Sequence, residues 1–219
     1  MKMPEGFICE DSIRPFLQKV FDGEYEIPLK LEAESPVILD VGANVGSFAL
    51  WAVNRWPGSV IHCYEPHPVT FKTLEENAKL THERIILQNF AVGIPGTALL
   101  HEGVNNSGEA TLYGGNAVDS GITHEVEVRS PLTLPEADIL KVDAEGSEIA
   151  VIEPLILSGR RFAAVMFEYH RINDRRYLDN LLVDYTLVGA HVTGNPALGT
   201  LRYIHSSLLT EPRTRISLV

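Results

Sequence analysis

Two groups of residues in this chain have the types and spacing to do chemistry. The first is Asp40-Val41-Gly42-Ala43-Asn44-Val45-Gly46-Ser47, an acid followed by three residues that tolerate a left-handed backbone. It follows an apolar strand-like run, Val37-Ile38-Leu39, and leads into a helix-like one, Ser47-Phe48-Ala49-Leu50. Such a turn aims backbone N–H groups and the positive end of a helix dipole at a ligand, and its missing side chains allow close approach. The second is Asp143-Ala144-Glu145, two carboxylates at the end of the apolar run Ile139-Leu140-Lys141-Val142. Acids at a strand's carboxyl edge can orient an acceptor hydroxyl or accept its proton. They could also hold a divalent cation. The sequence offers no obvious third ligand, and no metal is expected.

The turn suits one ligand better than another. A dinucleotide asks for G-x-G-x-x-G, and Ser47 stands where the third glycine belongs. S-adenosylmethionine carries an amino-acid end, a sulfonium, a ribose and an adenine. Asp40 can meet the cationic end through the turn or water, with Gly42, Asn44, Gly46 and Ser47 beneath the cofactor. Glu65, followed by Pro66, closes the second strand-like run 19 positions beyond Gly46. A carboxylate there can accept from both ribose hydroxyls without offering a competing donor. Asn89 and Phe90 end the third run and could give adenine an amide and a ring face. His170 ends the fifth run beside Glu168 and is a candidate general base, although a lone histidine is more often structural. A nicotinamide-dependent oxidoreductase and a non-catalytic S-adenosylmethionine-binding protein remain the alternatives.

Regular elements must position these groups. Helical spacing is expected over 11–21, 46–56, 68–80, 147–157 and 174–184, with Phe71, Leu74, Ala78 and Leu80 of the third helix facing the core. Strands are expected over 37–41, 60–64, 85–92, 137–143 and 162–170, and a closing pair over 185–190 and 201–207. Tyr25, Ile27 and Leu29 alternate with polar residues, which suggests an extended cover for the cofactor pocket. Residues 94–135 break the rhythm with short strands at 97–102, 110–113 and 124–130, and read as a β insertion near the acceptor side that could act as a lid. The fold expected is α/β, one domain over 1–219, with 1–35 as an N-terminal preface.

Composition narrows the partners. A formal net charge of -11 and the lack of a Lys/Arg run argue against a nucleic-acid backbone and an anionic membrane surface. The two cysteines, Cys9 and Cys63, make no C-x-x-C, and the remaining histidines show no ligand spacing. No apolar run reaches the ~18 residues of a membrane span, and the N-terminus does not read as a signal peptide. A soluble, cytoplasmic protein acting on a small-molecule or carbohydrate acceptor is expected. On that ground the sequon Asn105-Asn106-Ser107 is discounted.

Together the stretch from Val37 to Phe48, Tyr64-Glu65-Pro66-His67-Pro68 and Leu140 to Glu148 resemble the FkbM-type methyltransferases. Phe21-Asp22-Gly23-Glu24-Tyr25-Glu26 and Phe167-Glu168-Tyr169-His170 are similar to that family too. The resemblance implies a class I, Rossmann-like fold with a seven-stranded, mostly parallel sheet, an antiparallel last strand and helices on both faces. It also implies S-adenosylmethionine as methyl donor and a hydroxyl as the usual acceptor. Asp40, Gly42, Asn44 and Gly46 would then underlie the cofactor, Glu65 would hold its ribose, and Asp143 and Glu145 would match the family's acids after the fourth strand. In that mechanism Asp143 or His170 would help take the acceptor's proton as its oxygen displaces sulfur.

Overall fold

The computed structural model describes residues 1–31, 34–81, 84–103, 111–112, 119–192 and 194–209. Among the described residues ten strands and five α-helices follow in the order α1 (Arg14–Phe21), β1 (Val37–Val41), α2 (Ser47–Arg55), β2 (Val60–Tyr64), α3 (Pro68–Ala78), β3 (Ile85–Gln88), β4 (Ala91–Val92), β5 (Gly96–Gly103), β6 (Asp119–Arg129), β7 (Ile139–Val142), α4 (Glu148–Leu157), β8 (Ala164–Tyr169), α5 (Ile172–Leu181), β9 (Tyr185–Val192) and β10 (Gly199–His205). Seven strands form one sheet in the order β3-β2-β1-β7-β8-β10-β9. β10 runs antiparallel to both neighbours, and the other described pairings in this sheet are parallel. This is the doubly wound, Rossmann-like arrangement. β1 lies near its middle, so the turn that follows β1 opens at the sheet's switch point.

Alternation along β1 builds two cores. Ile38 faces a layer with Phe48, Trp51, Ile61 and Ile139. Leu39 and Val41 face the opposite layer, with Leu140, Val142, Ile152 and Phe167. Helix α2 is buried along Ser47–Val53, so it is apolar all round rather than amphipathic. Trp56 then packs edge-on against Trp51, the ring centroids 5.4 Å apart, and Pro57-Gly58 turns the chain back.

Residues 24–29 are tied down from two elements, β10 and α2. Arg202 on β10 donates to the carbonyls of Glu24 (2.6 Å) and Glu26 (3.1 Å), and Thr200 donates to Glu24 Oε1 (3.1 Å). Arg55 of α2 donates to the carbonyls of Ile27 and Leu29. Tyr25, Ile27 and Leu29 are all buried.

Several elements differ from the sequence expectation. The strand expected over 85–92 breaks. The chain leaves the main sheet after Gln88, Phe90 turns in against Tyr64, and Ala91–Val92 pairs with β6 in a second, three-stranded sheet ordered β4-β6-β5. Asn89 marks the break, its amide donating to the Glu65 carbonyl at 2.8 Å. Helix α3 ends at Ala78 in a 3₁₀ turn, which leaves Leu80 39% exposed rather than in the core. Of the strand expected at 110–113, Thr111 pairs with His101. The Asn105-Asn106-Ser107-Gly108 and Gly114-Gly115-Asn116 stretches lie outside the described residues. Among the described residues no helix is long and apolar enough to cross a membrane.

Candidate functional site

The turn after β1 is built by positive backbone angles at Gly42 (φ 74°), Asn44 (φ 50°) and Gly46 (φ 91°). At Gly42 glycine is obligatory, because a Cβ would lie 1.7 Å from the Asp143 carbonyl oxygen. The turn after β1 and the turn after β7 therefore touch backbone to backbone. Two cavities open on either side of that contact. Gly42, Asn44, Asp143 and Glu145 line both.

The first cavity is lined by Glu65, Pro66, Phe90, Val92, Leu100 and Ser147, with the shared residues. Glu65 is 8% exposed, and each of its oxygens accepts a backbone N–H, from Asn44 at 2.9 Å and from His67 at 2.8 Å. Burial pushes its carboxyl up to about 7, against those hydrogen bonds. A carboxylate has about four acceptor positions, so two remain for a ligand. The apolar walls Val92 and Leu100 and the Phe90 ring suit a flat base. Arg129 stacks on Phe90 with its guanidinium carbon 4.1 Å from the ring centroid. Ser147 Oγ and Asn44 Oδ1 are buried without a hydrogen-bond partner among the described residues. Unmet polar groups beside a carboxylate and an apolar slot fit the hydroxyls, amino end and adenine of S-adenosylmethionine.

The second cavity is lined by Tyr25, Ser47, Lys141, Glu168, His170 and Thr200, again with the shared residues. Its centre is an ionic cluster. His170 Nε2 lies 3.1 Å from Glu145 Oε2 and 3.9 Å from Glu168 Oε2, and Nδ1 lies 3.3 Å from Glu148 Oε1. Burial opposes a charge on this ring, but Glu145 and Glu148 overcome it and push its pKa up to about 12. An imidazole so held keeps its proton at neutral pH and has no lone pair with which to take another. Glu168 goes the other way for a carboxylate. Burial, then the neighbouring Asp143, raise it to about 9. Burial also raises Glu145, whose backbone sits at φ 48° and whose carbonyl accepts from Thr111 Oγ1 at 2.8 Å. A non-glycine residue at that angle carries strain of about 1–3 kcal/mol, and such strain concentrates at functional sites.

The structure thus gathers Gly42, Asn44, Glu65, Pro66, Phe90, Asp143 and Glu145 around the first cavity, and Ser47 and His170 with the shared residues around the second. Gly46 stands behind the turn as the N-cap of α2, facing Leu74. Asn89 lines neither cavity, since its amide holds the Glu65 and Pro66 carbonyls. Asp40 is wholly buried behind the turn. The described part of the insertion borders the Glu65 cavity through Leu100 and Leu112.

Three further residues matter: Lys141 and Glu148, to which the sequence assigned no role, and Tyr25, expected as part of a cover. Lys141 bridges Asp40 Oδ1 (3.0 Å), the Gly42 carbonyl (2.8 Å) and Asp143 Oδ2 (3.8 Å). A lysine inside an apolar strand was the signal. Glu148 closes the β7–α4 turn by accepting from the N–H groups of Ala144 (3.2 Å) and Gly146 (3.0 Å). Tyr25 roofs the second cavity, edge-on to Phe48 and with its ring centroid 6.0 Å from the Lys141 ammonium.

The model of the Methyltransferase FkbM domain matches residues 40–190. "Methyltransferase 1" of Beauveria bassiana is 30% identical over 144 residues, 54% of this chain and 57% of the relative. The "Hexuronic acid methyltransferase AglP" of Haloferax volcanii is 24% identical over 169 residues, 70% of this chain and 64% of the relative. The chain therefore spans less than two thirds of the length of either. Among solved structures, a Methyltransferase FkbM from Methylobacillus flagellatus superposes with a TM-score of 0.58 at 17% identity, over 90% of this chain and 56% of the other.

Proposed function

The chain belongs to the FkbM methyltransferase family, and we propose that it methylates a hydroxyl of a small molecule or sugar by in-line displacement. S-adenosylmethionine, the family's methyl donor, supplies a methyl group on a sulfonium when bound. One observation carries the reading: Asp143 and Glu145 form a wall common to two cavities, one with a ribose-type carboxylate and one with an ionic cluster.

In this reading Glu65 holds the ribose, Phe90 and Val92 flank the base, and the Gly42–Gly46 turn underlies the amino-acid end. Asp40 acts from behind, fixing Lys141 against the Gly42 carbonyl and so fixing the turn. The second cavity receives the acceptor. Asp143, at the junction, accepts the hydroxyl proton as the oxygen attacks. His170, charged, holds Glu145 in its strained conformation. It is a positioning residue rather than the base. Holding two reactants in line supplies most of the rate, and a general base contributes typically ~10²–10⁴-fold. The chamber sets Glu24, Asp143 and Glu145 against Lys19, Lys141 and His170, and Glu168, raised to about 9, adds no charge at neutral pH. That balance favours a neutral, hydroxyl-rich acceptor over a phosphate-bearing one, nucleic acid included.

The test is transfer of isotope-labelled methyl from S-adenosylmethionine to a panel of neutral sugars and hydroxylated natural products, read by mass spectrometry. Asp143→Asn should lower kcat by ~10²–10⁴-fold while the affinity for S-adenosylhomocysteine stays within a few fold. Cofactor binding with no methylated product across such a panel would refute the hydroxyl-transfer reading.

A further inference from the structure

His67, Glu102 and His124 come from three separate elements, the N-cap of α3, β5 and β6. Their ligand atoms lie within 4.8 Å of one another. Glu102 Oε1 is 3.4 Å from His67 Nε2, and Glu102 Oε2 is 3.9 Å from His124 Nε2. The two imidazoles meet edge to face, centroids 4.7 Å apart. His67 is wholly buried, and neither Nε2 makes a hydrogen bond among the described residues. Two buried ring nitrogens aimed at one carboxylate without bonding to it are an expensive arrangement if nothing else is bound.

We propose that His67 Nε2, His124 Nε2 and the Glu102 carboxylate form a binding site for a divalent transition metal, of which zinc fits best. Tetrahedral bonds of about 2.0–2.1 Å put ligand atoms about 3.3 Å apart, close to the 3.4 Å between Glu102 Oε1 and His67 Nε2, and the three ligand atoms already lie within 4.8 Å of one another. Two imidazoles and one carboxylate suit zinc and exclude the hard cations, which want oxygen alone. The protons balance. Thr70 N–H donates to His67 Nδ1 at 3.2 Å, which puts the proton of the metal-free ring on Nε2. Metal on Nε2 would move it to Nδ1, which then donates to Thr70 Oγ1, 3.0 Å away, and gives up the bond it accepted from Thr70 N–H.

Strand register explains why the ligands converge. His124 stands opposite Leu100 on one face of the strand pair, and Glu102 sits within the irregular pairing between His101 and Gly103, its carboxylate 3.9 Å from His124 Nε2. That face meets the Glu65-Pro66-His67 turn. A bound ion would clip the β5–β6 hairpin to the turn that carries Glu65, and so fix the Leu100 wall of the first cavity. The site lies apart from Asp143, Glu168 and His170, and does not depend on the proposed reaction.

The experiment is calorimetric titration of the chelator-treated protein with zinc ion, beside visible absorption with cobalt(II). Saturation at one equivalent and a tetrahedral cobalt spectrum are expected. His124→Gln and Glu102→Gln should each weaken zinc by more than the roughly 10–100-fold that a lost supporting partner costs, with circular dichroism unchanged. His170→Gln should bind zinc as the parent does. No saturable uptake would overturn the site, as would uptake that survives His124→Gln or is lost in His170→Gln.

Discussion

Asp40 and Lys141 face one another across the pairing of β1 and β7, and their charges meet 3.0 Å apart with neither residue more than 3% exposed. Burial raises the Asp40 pKa while Lys141 draws it back. The Lys141 pKa, lowered by burial, is lifted above its ordinary value by Asp40 and Asp143. Removing one partner of a buried pair leaves a stranded charge and costs about 3–5 kcal/mol. Asp40→Leu and Lys141→Met should each destabilise the protein by about that amount. An Asp40→Leu/Lys141→Met double variant should recover most of the loss. Urea unfolding of the four proteins checks this. Additive losses in the double variant would show that the pair is not a unit.

Glu65 has a different liability, since it serves the backbone and the ligand together. Glu65→Gln keeps the shape but replaces one acceptor oxygen with a donor, facing either the Asn44 or the His67 N–H. Hydrogen bonds to charged groups are worth about 1.5–3 kcal/mol. The affinity for S-adenosylhomocysteine should fall about 10–150-fold, read by calorimetry. An unchanged affinity would remove Glu65 from the cofactor site.

The charge on His170 gives a pH prediction. Its pKa rises from 6.5 to about 12, so the folded chain holds a proton that the unfolded chain releases. Its contribution to stability is complete below about pH 6.5 and is lost as pH climbs toward 12. The His170 ring should show no titration by NMR between pH 6 and 9, and the stability advantage of the parent over His170→Gln should shrink across that range. A ring that titrates near 6.5 would restore it as a candidate base.

Gly42→Ala should be severe for a steric reason alone. The new Cβ would collide with the Asp143 carbonyl and demand a left-handed backbone at an alanine. A drop in Tm together with loss of S-adenosylhomocysteine binding is expected. Ordinary stability and binding in this variant would mean that the two turns do not touch.

Much of this arrangement was legible in the chain because it is written locally. Gly42, Asn44 and Gly46 announce a turn by type, and Glu65 announces itself by ending a five-residue apolar strand. Lys141 was harder. Its partner lies 101 positions away, and only strand register sets them opposite one another. His67, Glu102 and His124 share no spacing that a sequence can show, because a turn and two strands bring them together. His170 was visible as chemistry, but its direction was not. A histidine beside one acid can be a base, and one among three is a cation. The break at Asn89 escaped notice because Ile85 to Val92 is apolar enough for one strand, and the bond from Asn89 to the Glu65 carbonyl is a tertiary event.

The bonds from Arg202 to the carbonyls of Glu24 and Glu26 join positions 178 and 176 apart in sequence. One chamber therefore takes its roof from Tyr25 and its fastening from Arg202, far later in sequence. A ribosome delivers the Glu65 side of the molecule, helices and all, before the residue that latches Tyr25 has been made. Loop closure over such a separation comes late. In pulse-labelled refolding, the amide of Glu26, which donates to the Gly23 carbonyl, should gain protection together with β10 and after β1, so the half of the molecule around Glu65 would take shape before the chamber under Tyr25 could close.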